Sequence, residues 1–229
     1  LEFHFLEGEV LLFDKPAGWT SFDLVNKVRK LISRHLNVRR IKVGHAGTLD
    51  PMATGLMILC TGKATKEISR FQGMDKSYIA EMEFGKTTPS FDAETEIDHQ
   101  YPFLHIDRKN LLKTLSRFTG TFDQLPPAYS AKKVGGQRAY KLARKGKEVK
   151  LQPHEVTINK IELIKFDLPY CTIAVDCSKG TYIRALARDI GFFLDSGAYL
   201  TALVRTRIGP YDLSNAMDIS EFEKIINEM

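Results

Sequence analysis

The sequence predicts an α+β fold, because two hydrophobic periods interleave along it. Lys76 to Phe84 alternates: Tyr78, Ala80, Met82 and Phe84 share one face, Glu81 and Glu83 the other, the period of a half-buried strand. Thr20 to Leu36 and Tyr182 to Leu194 recur instead at three and four residues, the period of an amphipathic helix. The 229 residues are 43% hydrophobic and 27% charged, which excludes a disordered or collagen-like chain. That length allows one large domain, or two small subdomains, with a sound core. No repeat or low-complexity tract interrupts it.

Val10 to Phe13 reads as a buried strand running into a turn, Asp14-Lys15-Pro16-Ala17-Gly18-Trp19. Thr20 and Asp23 have capping-box spacing, and a helix follows to about Leu36 with Phe22, Val25, Val28, Ile32 and Leu36 on its apolar side. Lys27, Arg29, Lys30, Arg34, Arg39, Arg40 and Lys42 crowd its end. Cations there suit the helix dipole as a solvated face, and they equally suit phosphate contacts. Ile41 to Val43 and Leu56 to Cys60 are strands around a Gly-rich stretch. Thr61-Gly62 ends the second, and Lys63 to Phe71 forms a short helix.

Gly85 to His105 is irregular and polar, and includes Thr87-Thr88-Pro89-Ser90-Phe91-Asp92. Asp107 caps a helix carrying Leu111, Leu112, Leu115 and Phe118. Leu125 to Lys133 is extended and basic, and Gly135-Gly136 leads into a short helix with Arg138, Lys141, Arg144 and Lys145, ended by Gly146. With Tyr129 and Tyr140 this is the best basic patch, suited to base stacking and phosphate neutralisation as well as to a solvated helix. Val156 to Phe166 and Thr172 to Cys177 read as strands. Ser178-Lys179-Gly180-Thr181 then turns into a helix with Ile183, Leu186, Ala187, Ile190 and Leu194 inward. Arg184 lies early in that helix, where the dipole disfavours a cation, so it is expected to have a specific anionic partner. In Leu200 to Ile208, Leu203, Arg205 and Arg207 face one way, a pattern for a groove taking a base and a phosphate, or for an exposed edge. Ser220 and Glu223 have capping-box spacing for a terminal helix.

A net charge of +5 is mild evidence for a polyanionic partner. Cys60, Cys171 and Cys177 are odd in number and lack metal-ligand spacing, which fits reduced, buried thiols in a cytosolic protein. No apolar run approaches membrane-spanning length, and no signal peptide is read. The expectation is a cytoplasmic protein. Rossmann and Walker loops, zinc spacing and Gly-x-Ser-x-Gly are all absent from the sequence. What remains is chemistry by a carboxylate, with no cofactor and no metal.

The candidate carboxylate lies in Gly44-His45-Ala46-Gly47-Thr48-Leu49-Asp50-Pro51-Met52-Ala53-Thr54-Gly55. Pro51 biases Asp50 away from helical dihedrals, and the glycines permit close approach or positive φ. An imidazole and a carboxylate on one tight loop make a catalytic loop, although Asp-Pro is also a common turn starter.

Taken together, the blocks resemble the bacterial tRNA pseudouridine-55 synthases, the TruB family. The resemblance rests on Asp14-Lys15-Pro16 with Gly18 and Ser21, and on Gly44-His45 through Thr48-Leu49-Asp50-Pro51 to Gly55. It continues through Lys76-Ser77-Tyr78, Pro126-Pro127 with Tyr129-Ser130-Ala131, Ser178-Lys179-Gly180-Thr181-Tyr182-Ile183-Arg184, and Leu203 with Arg205. It spans roughly residues 9 to 209. Ala46 departs from the small hydroxyl residue common there.

The resemblance implies a bent, mixed, mostly antiparallel sheet flanked by helices, in two similar halves around a central cleft. It implies isomerisation of the T-loop uridine of tRNA by base flipping, without a cofactor, by a monomer that needs no protein partner. Asp50 matches the catalytic aspartate. Arg184 matches the arginine that pairs with it. Tyr78 matches the aromatic residue that stacks on the flipped base and is a candidate for the proton transfer at C5. His45 matches the residue that takes the extruded nucleotide's place. Lys179, Tyr182 and Leu203 resemble substrate-pocket residues. Many relatives continue into a small RNA-binding domain of the PUA type, whereas this sequence stops at Met229, so a single catalytic domain is expected. A non-catalytic RNA-binding protein on the same scaffold would not need Asp50 with Arg184. A glycosidase or transferase acting on a small nucleoside would not need so many dispersed cations.

Overall fold

We describe a computed structural model of the chain, covering residues 3–130, 132–134, 136–139, 142, 149 and 151–229. In chain order the elements are β1 (Val10–Lys15), α1 (Ser21–His35), β2 (Val43–His45), β3 (Thr54–Thr61), a 3-10 turn (Gly62–Glu67), α2 (Ile68–Gln72), β4 (Lys76–Phe84), β5 (Lys86–Thr87), β6 (His99–Gln100) and α3 (Arg108–Arg117). Then follow β7 (Gly120–Gln124), β8 (Lys133–Val134), β9 (Gln137–Arg138), β10 (His154–Asp167), β11 (Tyr170–Cys177), α4 (Ile183–Phe193), β12 (Ala198–Ile208), β13 (Tyr211–Asp212), a second 3-10 turn (Leu213–Asn215) and α5 (Ile219–Glu228). Helices and a mixed open sheet make this the α+β chain the two periods predicted. It divides into two compact units, Leu1–Tyr78 with Leu203–Met229, and Ile79–Ala202.

In the first unit β3 is the central strand. β1 runs antiparallel to it from Val10 opposite Cys60 to Lys15 opposite Gly55. β2 pairs antiparallel with its end, His45 opposite Leu59, and β12 pairs parallel with its start, Arg205 opposite Gly55. β3 is buried on both faces, which explains its continuous apolar run. α1 begins at the predicted capping box: the Thr20 side chain accepts from the Asp23 N–H, and the Asp23 carboxylate accepts from the Thr20 N–H. Its inner stripe is Ser21, Leu24, Val25, Val28 and Ile32. Phe22, expected inside, is 62% exposed. One residue is about 100° of helix, and Ser21 takes the inward position. α5 carries Phe222, whose ring meets Phe5 and Phe13 edge-on. Its cap is Asp218, which accepts from the Glu221 N–H, not the expected Ser220.

In the second unit β10 and β11 form a long antiparallel hairpin, and β7 continues the sheet beyond β10. The 198–202 stretch of β12 is tied to the 79–84 stretch of β4 by Tyr199 donating to Glu83 at 2.6 Å and Thr201 donating to Glu81 at 2.8 Å. Glu83, expected outside, is therefore buried. α3 is capped by Asp107 with Asn110, and packs Leu111, Leu115 and Phe118 inward while Leu112 is exposed. Arg138 lies in a short strand opposite Lys133, not in a helix. The rest of the basic patch expected there, Tyr140, Lys141, Arg144, Lys145 and Gly146, lies outside the described residues.

Candidate active site

The loop from Ala46 to Ala53 is held by its backbone from three sides. The first hold is Ser21 on α1, whose Oγ accepts the Leu49 N–H at 2.9 Å and donates to the Leu49 carbonyl at 3.0 Å. The peptide next to Asp50 is thus pinned on the buried side while the Asp50 side chain stays half-exposed. The second hold is Lys15, wholly buried at the end of β1. Its ammonium donates to the carbonyls of Trp19 at 2.6 Å, Pro16 at 2.9 Å and Pro51 at 3.4 Å. The third is Arg205 on β12, 1% exposed. Its Nε donates to the Leu56 carbonyl at 2.8 Å, Nη2 to Gly47 at 3.2 Å and Nη1 to Thr48 at 3.4 Å.

Two further bonds shape the turn. The Ala53 N–H closes onto the Asp50 carbonyl at 3.1 Å, with Pro51 at the second position, its fixed φ suiting that place. The Asp14 carboxylate accepts the Gly55 N–H at 3.1 Å. Gly55 has φ +106°, and a Cβ there would lie 2.4 Å from the Arg205 carbonyl oxygen. Glycine at that position is what allows β12 to lie against the loop's end.

The electrostatics follow from this packing. Burial pulls the Lys15 ammonium down to about 8; the Asp50 carboxylate opposes that pull and Arg205 adds to it. Burial also lowers the pKa of His45, against a hydrogen bond with the Gly47 backbone, with Arg205 again adding to the shift. The imidazole is therefore neutral at pH 7. Its Nδ1 is buried and makes no hydrogen bond among the described residues. The Lys15 ammonium and the Asp50 carboxylate therefore attract one another across the loop.

In the second unit Arg184 is held as a rigid fork. It is 5% exposed, and donates through Nη1 to the Ser90 carbonyl at 3.0 Å and through Nη2 to the Tyr129 carbonyl at 2.9 Å. The Asp92 carboxylate lies 3.4 Å from Nη1. Asp92 is itself wholly buried, its other oxygen accepting from Ser90 Oγ at 2.5 Å and the Glu94 N–H at 3.0 Å. Arg184 thus has an anionic neighbour on its own unit, as its place early in α4 required. Tyr182 precedes α4, and the Gln124 side chain clamps its peptide, accepting its N–H at 2.8 Å and donating to its carbonyl at 3.1 Å. His154 donates from Nε2 to the Gly180 carbonyl at 3.0 Å, while Lys132 donates to Nδ1 at 3.1 Å. Those bonds shape the turn that exposes Lys179.

His45 and Asp50 therefore sit at the two ends of one clamped loop. Tyr78, 9% exposed on β4, and Leu203, 6% exposed on β12, belong to the same unit. Lys179, Tyr182 and Arg184 belong to the other. Arg205, expected to face a groove or an exposed edge, holds the loop from inside. The sequence reading missed Asp92 and Gln124, and gave Lys15 and Ser21 no role beyond their place in the matched blocks. The first two lie in polar or edge segments with no periodicity to mark burial. No group of His, Cys, Asp and Glu that could hold a metal occurs among the described residues. The three cysteines are buried.

The fold is shared with a solved structure: a chain of a Cbf5-Nop10-Gar1 complex superimposes with a TM-score of 0.72 at 26% identity, over 96% of this chain and 55% of that one. Residues 33–183 match the model of the TruB family pseudouridylate synthase N-terminal domain, and the chain belongs to that family. It is 56% identical to tRNA pseudouridine synthase B of Phocaeicola vulgatus, over 98% of this chain and 100% of that protein. The Bacteroides fragilis enzyme of the same name is also 56% identical, over 98% of this chain and 97% of that one. In Dehalococcoides mccartyi the match is 43%, over 93% of this chain and 69% of the relative.

Proposed function

We propose that this chain isomerises uridine to pseudouridine in tRNA, at position 55 of the T-loop, as a cytoplasmic monomer without metal or organic cofactor. The observation that carries the reading is the 56% identity to curated tRNA pseudouridine synthases over 98% of the chain. The clamped loop supports it, since a pinned backbone presents one half-exposed carboxylate. In the reaction the C1′–N1 bond breaks, the uracil turns, and a C1′–C5 bond forms. The C5 proton is lost and N1 gains one. Positive character grows at C1′, and Asp50 is the group that stabilises or traps it.

A uridine inside a folded T-loop must be flipped out, at a cost of a few kcal/mol. A neutral His45 can fill the space left behind without opposing a base. Tyr78 stacks on the flipped uracil and serves the proton transfer at C5. Lys179, Tyr182 and Leu203 are substrate-binding residues. Arg184 is a catalytic residue that brings positive charge to the reacting complex, and its bonds to two carbonyls hold the planar fork ready. The deciding assay is tritium release from C5-labelled uridine, comparing a T-arm stem-loop with free uridine. Release from the stem-loop alone is expected. Binding without release would make the chain an RNA-binding protein, and release from free uridine a nucleoside enzyme.

A further inference from the structure

Positions 24–49 carry seven Lys and Arg residues and no carboxylate. Among the described residues only one of the seven, Lys27, is in an ion pair, with Glu223. Three of the others, Arg29, Arg40 and Lys42, converge on one notch of about 320 Å³, whose remaining walls are Ile41 and Val43. Arg40 and Lys42 are exposed and Arg29 is half-buried. The Arg29 fork is fixed, Nη1 donating to Asn26 Oδ1 at 2.7 Å and Nη2 to the Val43 carbonyl at 3.0 Å. Its Nε is buried and makes no hydrogen bond among the described residues. Ser33 Oγ accepts the Ile41 N–H at 3.2 Å, so the chain carrying Arg40 to Val43 is tied to α1 at two points.

Like charges gathered in a concavity repel one another, and apolar walls strengthen that repulsion by excluding water. Burial holds the Arg29 guanidinium below its ordinary value, and Arg40 adds to the effect. An anion entering the notch would relieve both. A phosphodiester suits it chemically. One nonbridging oxygen can take a guanidinium N–H while the other faces the Lys42 ammonium. The notch is open, as a polymer backbone needs, and Lys42 precedes His45 by three residues and Asp50 by eight.

We propose that this notch is a phosphate subsite that seats one backbone phosphodiester of the RNA substrate and sets its register on the strand leading to the Asp50 loop. The inference rests on the proposed function, because it takes the substrate to be RNA.

The test uses the full chain and a T-arm stem-loop. Arg40→Gln and Lys42→Gln remove the two outer charges without touching the bonds of Arg29. Each should raise KM about three- to tenfold with kcat within about twofold, and flatten the log–log salt slope by roughly 0.7–0.9. Lys109→Gln and Lys113→Gln, exposed on α3, remove matched charge elsewhere and should move KM less than about twofold. A second measurement uses stem-loops that each carry one uncharged methylphosphonate linkage. One linkage should cost the wild type as much as Lys42→Gln does, and cost that variant nothing more. Equal KM shifts in notch and control variants, or additive losses at every linkage, would overturn the subsite. Wild-type turnover reports on the proposed function separately. No conversion sinks that reading, whereas conversion with notch variants matching the controls sinks the notch alone.

Discussion

Asp50 gives the sharpest test at the scale of one residue. Its neighbours Leu49 and Pro51 are held by Ser21 and Lys15, so the backbone does not depend on the carboxylate charge. Asp50→Asn keeps the shape and the turn-forming capacity while removing the charge. The variant should fold, bind the T-arm stem-loop near normally and release no detectable tritium; near wild-type release would make Asp50 a turn residue only. Tyr78→Phe separates ring from hydroxyl: binding should persist and turnover should fall about 10²-fold or more, if the hydroxyl takes part in proton transfer. Full turnover would leave the ring as a stacking platform. Lys15 makes a prediction about pH. Its folded pKa is about 8 against 10.5 in the unfolded chain, because burial disfavours the charge. Between those values the unfolded state holds more protons, so Lys15's contribution to stability rises with pH across that window. Denaturant midpoints of the wild type should therefore gain on those of Lys15→Met from pH 8 to 10. Parallel curves would mean an ordinary, solvated lysine.

Elements show what local pattern can and cannot reveal. The Thr20–Asp23 capping box, the β4 alternation as far as Met82 and the α4 stripe are local rules, and the structure obeys them. Phe22 was misplaced because a single helical step moves a side chain off the inner stripe. Arg205 and Lys15 are harder cases. The burial of Arg205 is made good by carbonyls contributed from distant chain, Gly47, Thr48 and Leu56; that of Lys15 by the nearby Pro16 and Trp19 together with the distant Pro51. No window around Arg205 contains that information, and a window around Lys15 shows the acceptors without showing that the ammonium turns inward to them. The Asp50 loop itself was legible because its chemistry is concentrated in twelve consecutive residues. Gly55 tests the clamp that was not legible. Gly55→Ala meets the Arg205 carbonyl at 2.4 Å as well as a positive φ, whereas Gly120→Ala has a similar φ of +107° and nothing within 4 Å. The strained backbone alone costs about 1–3 kcal/mol, so both should lose that much in denaturant unfolding. Gly55→Ala should lose more, and its kcat should fall while that of Gly120→Ala holds. Equal losses and equal kcat would mean that the loop does not depend on its contact with β12.

Over the whole molecule the charges are unevenly used. Lys and Arg number 33 against 28 Asp and Glu, a modest excess. The most buried cations, Lys15, Arg184 and Arg205, are committed to backbone carbonyls and hold loops in place. The buried acids Glu83 and Asp92 are likewise committed, to Tyr199 and Lys86 and to Ser90 and Arg184. Charge left to meet a partner is therefore surface charge, and among the described residues one run of it lies at positions 27–42. A folded RNA arm neutralised by such residues releases counter-ions in proportion to its phosphate contacts. Buried clamps do not take part in that exchange. Affinity for a T-arm stem-loop should thus fall steeply and linearly on log–log axes as salt rises, roughly 0.7–0.9 in slope per contact. Turnover at saturating RNA should stay level over the same range, because the carbonyl bonds that position Asp50 are shielded from salt. The measurement is Kd and saturated kcat between about 50 and 200 mM salt. A flat Kd would remove phosphate contacts as the source of affinity. A kcat falling in step with affinity would show that the surface cations shape the catalytic loop as well as hold the RNA.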